Sequence, residues 1–249
     1  VNMPAVITLS FSMSLVPAVS SALTKKDQQG LQRMISTGLM LALMIGSAAA
    51  VGMGLLSHQI LRLLYASQPE NCLELGGQLL AIMSVGVLFL AVVQTTTGML
   101  QGLGKPSYPV KTLLVGIVAK TVLNYVLIGI PQINVLGAAI ATVVCYAIAA
   151  LGNVYMVLKL SKTKLKPVDA LVRPSLAAGG MGAAVWGFVR LMGGRLGNTM
   201  LTLGAVCLGV LVYAVLTFVL RALSKEDLAL IPGGRRVARL MDKLGGKKA

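Results

Sequence analysis

The residue best placed to do chemistry inside an apolar segment is Lys120. It stands in a run of Leu, Val and Ile, at four-residue spacing from Thr112, Gly116 and Asn124. An ionisable side chain at the centre of a bilayer costs about 2.5–3.5 kcal/mol on insertion scales, so it faces a bundle interior or enclosed water. We therefore predict that Lys120 and Asn124 line a substrate cavity. The alternative is a lysine that snorkels or pairs structurally.

Polar side chains follow one face of three further apolar segments. These stripes are Ser10, Ser14, Pro17 and Ser21; Gln94, Thr97 and Gln101; and Thr142, Tyr146 and Asn153. Ser and Thr often bond back to their own helix, so one stripe alone is a weak indication. Four stripes together predict a hydrated central cavity, and its further candidate residues are Gln94, Thr97, Ser14 and Thr142. Pro17 is predicted to kink the first helix.

Other kinds of site find little support in the sequence. All seven acidic residues fall in loops, near helix ends or in the C-terminal tail, and the chain has one histidine. We find no metal-ligand cluster, no nucleophile paired with a base and no phosphate-cradling glycine loop. The sequence therefore predicts no metal, no cofactor and no enzymatic activity. It also offers no buried carboxylate to bind a cation or relay a proton.

The elements that must position these residues are membrane-spanning helices. Of 249 residues, 56% are hydrophobic and 12% are charged, whereas soluble domains contain about 25% charged residues. Seven segments are long enough to cross a hydrocarbon core, which needs about 20 residues. They are 3–22, 34–57, 75–100, 109–130, 135–158, 174–192 and 199–220. We predict an all-α, polytopic membrane bundle.

The net charge of +15 is distributed as expected for a membrane protein. Basic residues fall in short runs between the spans, so we expect membrane loops and no nucleic acid partner. One side carries eighteen Lys and Arg and the other carries three, which predicts a cytoplasmic C-terminus. In the tail, Arg235, Arg236, Arg239 and Lys243 surround apolar residues at helical spacing. This pattern predicts an amphipathic helix on an anionic membrane surface, or a partner-binding tail.

Small residues recur every four positions and predict close contact between helices in lipid. They are Gly46, Ala50 and Gly54; Ala48 and Gly52; Gly137 and Ala141; and Gly179 and Ala183.

Longer motifs resemble a known family. The segments SLVPAVSSALTKKDQQGLQRMISTGL, GMLQGLGKPSYPVK, AKTVLNYVLIGIP, INVLGAAIATVVCYAIAALGNVY and LSKEDLALIPGGRR occur in family order. They are similar to the stage V sporulation protein B-like polysaccharide transporters. These belong to the multidrug/oligosaccharidyl-lipid/polysaccharide exporter superfamily, which also includes lipid II flippases.

The resemblance implies a fold of fourteen spans, with two six-helix lobes about a cationic cavity followed by two extra helices. The seven spans would then be the eighth to the fourteenth. Residues 1–159 would form five helices of the second lobe, 160–222 the accessory pair and 223–249 the cytoplasmic tail. Because the chain begins with Val1 at the edge of a helix, we expect a missing N-terminal lobe as its partner.

The resemblance also implies a function in the bacterial plasma membrane. That function is the flipping of an undecaprenyl-pyrophosphate-linked oligosaccharide or peptidoglycan precursor by alternating access, with membrane lipids and the lipid-linked sugar as partners. One alternative is an ion-coupled multidrug antiporter of the same superfamily. Another is a non-transporting scaffold for envelope or spore cortex synthesis.

Overall fold

The computed structural model describes residues 2–130, 133–163, 172–194 and 197–219, and all regular secondary structure in these ranges is helical. The C-terminal tail with Arg235, Arg236, Arg239 and Lys243 lies outside the described residues. The helices are α1 (Asn2–Thr24), α2 (Gln28–Leu55), α3 (Ser57–Leu64), α4 (Glu70–Gly102), α5 (Ser107–Ile128), α6 (Val135–Ser161), α7 (Arg173–Met192) and α8 (Asn198–Val219).

The predicted all-α membrane fold is confirmed. Six helices, α2 and α4 to α8, are long and apolar enough to cross a membrane, and α1 contributes a shorter apolar stretch, Thr8–Thr24. The helices extend beyond several predicted ends. For example, α2 starts at Gln28 instead of residue 34, because the Asp27 carboxylate accepts a hydrogen bond of 2.9 Å from the Gly30 amide. Such a cap satisfies an amide that the first helical turn leaves unpaired.

The short helix α3 was not predicted, since the sequence placed residues 58–74 in a connection between two spans. One face of α3 packs on α4 and α8, while His58 and Arg62 remain exposed. The guanidinium of Arg62 forms an ion pair with the Glu70 carboxylate at the start of α4. The Asn198 amide donates a hydrogen bond of 3.2 Å to the Gln59 carbonyl, which ties α8 to α3.

The main hydrophobic core lies between α1, α2, α4 and α6. Its fully buried side chains include Val19, Ile35, Met99, Leu100 and Val157. By contrast, α5 packs mainly on α6, and its remaining faces expose large apolar side chains. A second cluster, with Leu56, Met181, Val185 and Ala205, joins α7 and α8 to α2 and α3.

The α7–α8 pair is held to α2 by a hydrogen bond as well as by apolar packing. The Tyr213 hydroxyl donates to the Met44 carbonyl at 2.8 Å. A polar contact of this kind between helices in lipid contributes about 0.6 kcal/mol on average. The division of the chain after residues 159 and 222 stays a prediction.

The predicted small-residue contacts are found at some positions and not at others. Gly46 of α2 lies against Leu88 of α4, where a Cβ would stand 3.1 Å from its Cα. Gly137 of α6 lies against Leu127 of α5, where a Cβ added to the glycine would stand 2.7 Å from the Leu127 Cβ. The prediction is wrong for Gly179, where a Cβ would have no neighbour within 4 Å among the described residues. The sequence shows small residues at four-residue spacing, but it does not show which helix lies opposite them.

Candidate functional site

The contact between α5 and α6 shows which way one face of α5 points. This face carries Thr112, Gly116, Lys120 and Asn124. The Thr112 hydroxyl donates to the Asn153 side-chain carbonyl at 2.6 Å. At Gly116, a Cβ would stand 2.7 Å from the Cys145 carbonyl, so only glycine allows this approach. Two members of the stripe therefore face α6. Residues four apart share a helix face, so Lys120 and Asn124 continue along the same contact.

Lys120 lies near the middle of α5 and is half-buried. Its ammonium is close enough to the Cys145 thiol for an electrostatic interaction. It forms no hydrogen bond or ion pair with any other residue in the described part of the chain. An unpaired ammonium at this depth has donors available for an anion or for water.

Asn124 lies one turn further along α5. Its side-chain oxygen Oδ1 is buried and has no hydrogen-bond partner among the described residues. Leaving a buried acceptor unsatisfied costs about 1–3 kcal/mol. Together, Lys120 and Asn124 present a cationic donor and a free acceptor on one helix face.

The third candidate in this region is Thr142 of α6, which is half-buried. Its hydroxyl donates back to the Ala138 carbonyl at 2.8 Å. That bond uses the hydroxyl proton, so Thr142 offers a ligand only the lone pairs of its oxygen.

Gln94 belongs to a different contact, between α1 and α4. The Thr8 hydroxyl donates to the Gln94 side-chain carbonyl, and the Ser12 hydroxyl donates to the Gln94 backbone carbonyl at 2.6 Å. Gln94 therefore joins two helices of the lobe. The Thr97 hydroxyl donates to the Val93 carbonyl at 2.7 Å within α4.

Ser14 and Pro17 lie on the exposed face of α1. The Ser14 hydroxyl donates to the Phe11 carbonyl at 2.7 Å within the helix. The helix continues on both sides of Pro17, and its predicted kink stays a prediction.

The described packing thus divides the six candidates into two groups. Ser14, Gln94 and Thr97 belong to α1 and α4, and the other three belong to α5 and α6. The sequence did not predict the role of Thr8 and Ser12, whose hydroxyls attach α1 to α4. Their four-residue spacing was the available signal, but the exposed Ser10 and Ser14 show the same spacing.

The described acidic residues lie away from both groups. They are Asp27, Glu70 and Glu74, each exposed at or near a helix start. Across the described spans, Lys120 therefore has no nearby carboxylate to neutralise it.

Comparison with known proteins relates the chain to membrane proteins. The MatE family profile matches residues 1–126. The chain is 26% identical to the uncharacterized membrane protein YabM of Bacillus subtilis, over 95% of the chain and 44% of YabM. It is 28% identical to the lipid II flippase MurJ of the same organism, over 63% of the chain and 28% of MurJ.

Stage V sporulation protein B of Bacillus subtilis is 24% identical, over 93% of the chain and 43% of that protein. A solved structure of lipid II flippase MurJ in the inward closed conformation superposes with a TM-score of 0.64. The superposition has 19% identity and covers 86% of the chain and 44% of that structure. The two proteins therefore share a fold. The chain spans less than half the length of the curated relatives that it matches.

Proposed function

Since this chain belongs to the MatE family, within the multidrug/oligosaccharidyl-lipid/polysaccharide exporter superfamily, we propose that it forms one lobe of a membrane flippase. The proposed substrate is a polyprenyl-pyrophosphate-linked oligosaccharide or peptidoglycan precursor. One relative supports this substrate class, because it is a lipid II flippase. The proposed location is the bacterial plasma membrane.

The observation that carries the proposal is the ammonium of the half-buried Lys120, one turn from the buried Asn124 oxygen, both without a partner among the described residues. A pyrophosphate group is an anion that Lys120 can bind directly. A sugar hydroxyl is a donor that the Asn124 oxygen can accept. Lys120 would hold the charged group of the substrate, and Asn124 would hold a neighbouring hydroxyl.

The same pair favours a flippase over the cation-exporting multidrug antiporters of the superfamily. A cationic drug or a coupling ion needs a carboxylate or a cage of oxygen atoms at membrane depth. Within the described spans the ionisable group at that depth is a lysine, which repels such a ligand.

The proposed mechanism is alternating access. In transporters of this type, two lobes rock against each other around a substrate site near the bilayer midplane. The core between α1, α2, α4 and α6 would move as one body, and the second lobe would be supplied by a portion outside this chain. The C-terminus is proposed to be cytoplasmic.

A leaflet-exchange assay tests the proposal. Full-length protein is reconstituted in vesicles with a fluorescent polyprenyl-pyrophosphate sugar, and a membrane-impermeant quencher reports the fraction in each leaflet. We expect Lys120→Ala to slow exchange at least tenfold, because the proposed contact between the ammonium and the pyrophosphate is lost. Lys120→Arg should retain part of the rate.

The matched control is Lys25→Ala, which removes a cation from the exposed turn between α1 and α2. It should exchange lipid at the unaltered rate. The flippase proposal is wrong if wild-type vesicles match empty vesicles under every ion gradient. A scaffold would instead predict that Lys120→Ala leaves the biological function intact.

A further inference from the structure

Two tyrosine–lysine pairs lie together at one end of the α5–α6 hairpin. The Lys111 ammonium stands 5.7 Å from the centroid of the Tyr108 ring, and the Lys159 ammonium stands 5.7 Å from that of Tyr155. Both distances fall within the range of cation–π interactions. Both lysines are exposed. We call these four residues the tyrosine–lysine surface.

The two pairs share this end because α5 and α6 run antiparallel. The hydrogen bond between Thr112 and Asn153 sets the register. Toward the end of the hairpin where α5 begins and α6 ends, Lys111 lies one residue from Thr112, and Lys159 lies six residues from Asn153. At 1.5 Å per residue, the two positions differ by about 7–8 Å along the axis. Extended lysine side chains span this difference, so both ammonium groups reach one layer of phosphates.

The surroundings of the tyrosine–lysine surface are positive. Lys105 lies in the turn before α5, and Lys162 follows the end of α6. No acidic residue occurs in the turn between α4 and α5 or in either helix of the hairpin. Within this turn and these two helices every charge is therefore positive, which complements an anion.

The adjacent side chains suit a lipid more than a free anion. Val110, Leu114 and Val118 follow one another every four residues along α5 and are 58%, 55% and 64% exposed. On α6, Leu151 lies one turn before Tyr155 and is 68% exposed. A phospholipid joins acyl chains to a phosphate headgroup. Its chemistry therefore complements an apolar row that continues from the lysines of the tyrosine–lysine surface. Tyrosine rings are favoured at this boundary.

We propose that the tyrosine–lysine surface binds an anionic phospholipid of the adjacent leaflet. The Lys111 and Lys159 ammonium groups contact its phosphate, and the tyrosine rings lie between headgroup and acyl chains. The apolar row of α5 holds one acyl chain. This lipid is a structural partner on the outer face of the hairpin and is separate from the proposed substrate contact at Lys120.

Lipid binding to the purified full chain tests this inference. Native mass spectrometry in detergent counts bound phosphatidylglycerol, with phosphatidylcholine of the same acyl chains as the neutral comparison. The variant is the double substitution Lys111→Gln and Lys159→Gln. A lysine near an anionic surface is worth roughly fivefold in binding, so the double variant should bind phosphatidylglycerol about 30-fold more weakly.

The matched control is Lys25→Gln with Lys26→Gln, which removes two exposed cations from the turn at the same end of the bundle. It should lower phosphatidylglycerol binding less than threefold. The proposal is overturned if the two double variants lose binding equally, or if the first loses none. It is also overturned if phosphatidylcholine binds as tightly as phosphatidylglycerol, or if inorganic phosphate alone displaces the lipid.

Discussion

The contact between α1 and α4 depends on glycine at position 98. A Cβ at this position would stand 2.5 Å from the Ser12 carbonyl oxygen, whereas carbon and oxygen normally approach to about 3.3 Å. In Gly98→Ala, α1 must therefore retreat by about 0.8 Å. Backbone atoms form the obstacle, so a side-chain rotation does not relieve it.

The retreat has a calculable cost. Moving α1 by that distance lengthens the 2.6 Å bond from the Ser12 hydroxyl to the Gln94 carbonyl to about 3.4 Å, which is beyond a good hydrogen bond. Overpacking a close contact costs about 1–3 kcal/mol, and an interhelical hydrogen bond in lipid is worth about 0.6 kcal/mol. We expect Gly98→Ala to lower the free energy of unfolding by about 2–4 kcal/mol.

Unfolding in mixed micelles, driven by an increasing fraction of denaturing detergent and followed by circular dichroism, measures this free energy. The matched control is Gly187→Ala on α7, where a Cβ meets no atom of the described residues within 4 Å. The control should be neutral or stabilising, since alanine is the better helix former. If both substitutions change the free energy equally, α1 does not depend on this glycine, and the described α1–α4 contact is wrong.

Three further predictions concern buried polar contacts and orientation. Thr112→Val removes the donor to Asn153, whose side chain is fully buried, and should destabilise the protein by about 1–3 kcal/mol in the same unfolding measurement. Tyr213→Phe removes the hydrogen bond to the Met44 carbonyl and should cost about 0.5–1.5 kcal/mol. Cys72 is exposed near the start of α4, at the end with few basic residues, so a membrane-impermeant maleimide should label it on intact cells.

Each of these predictions has a control and a contrary outcome. Thr112→Ser keeps the hydroxyl, and a loss equal to that of Thr112→Val would show that the hydrogen bond is not the cause. Tyr65→Phe removes the hydroxyl of an exposed tyrosine and should be neutral. Cys145 is buried and should resist the reagent. Labelling of Cys72 only after permeabilisation would reverse the predicted orientation.

Much of the fold was predictable because spanning helices are set by hydropathy and length. Each of the seven apolar segments is helical over most of the residues that the structure describes. The helix α3 was missed because eight residues are too few to span the membrane. Its position depends instead on contacts with α4 and α8, which a single segment does not reveal.

The site was less predictable, because periodicity identifies a helix face without identifying the neighbour that covers it. Thr112, Gly116 and Lys120 share one face of α5, and the first two serve the contact with α6, while the cavity lined by Lys120 stays a prediction. Gln94 was predicted to line the cavity, which stays a prediction, and its side-chain and backbone carbonyls accept the hydrogen bonds that hold α1. Lys120 differs from both because its charge has no protein partner in the described structure.

The one-sided attachment of α5 has a mechanical consequence. This helix meets α4 through a turn at Gly104, which has a φ of 72°, and Lys120 lies about 20 Å along the axis from the start of the helix. Tilting α5 by about 10° around that turn would displace Lys120 sideways by about 3.5 Å. The resistance to this swing comes from the contacts of α5 with α6, among them those of Thr112, Gly116 and Leu127. The core between α1, α2, α4 and α6 need not open.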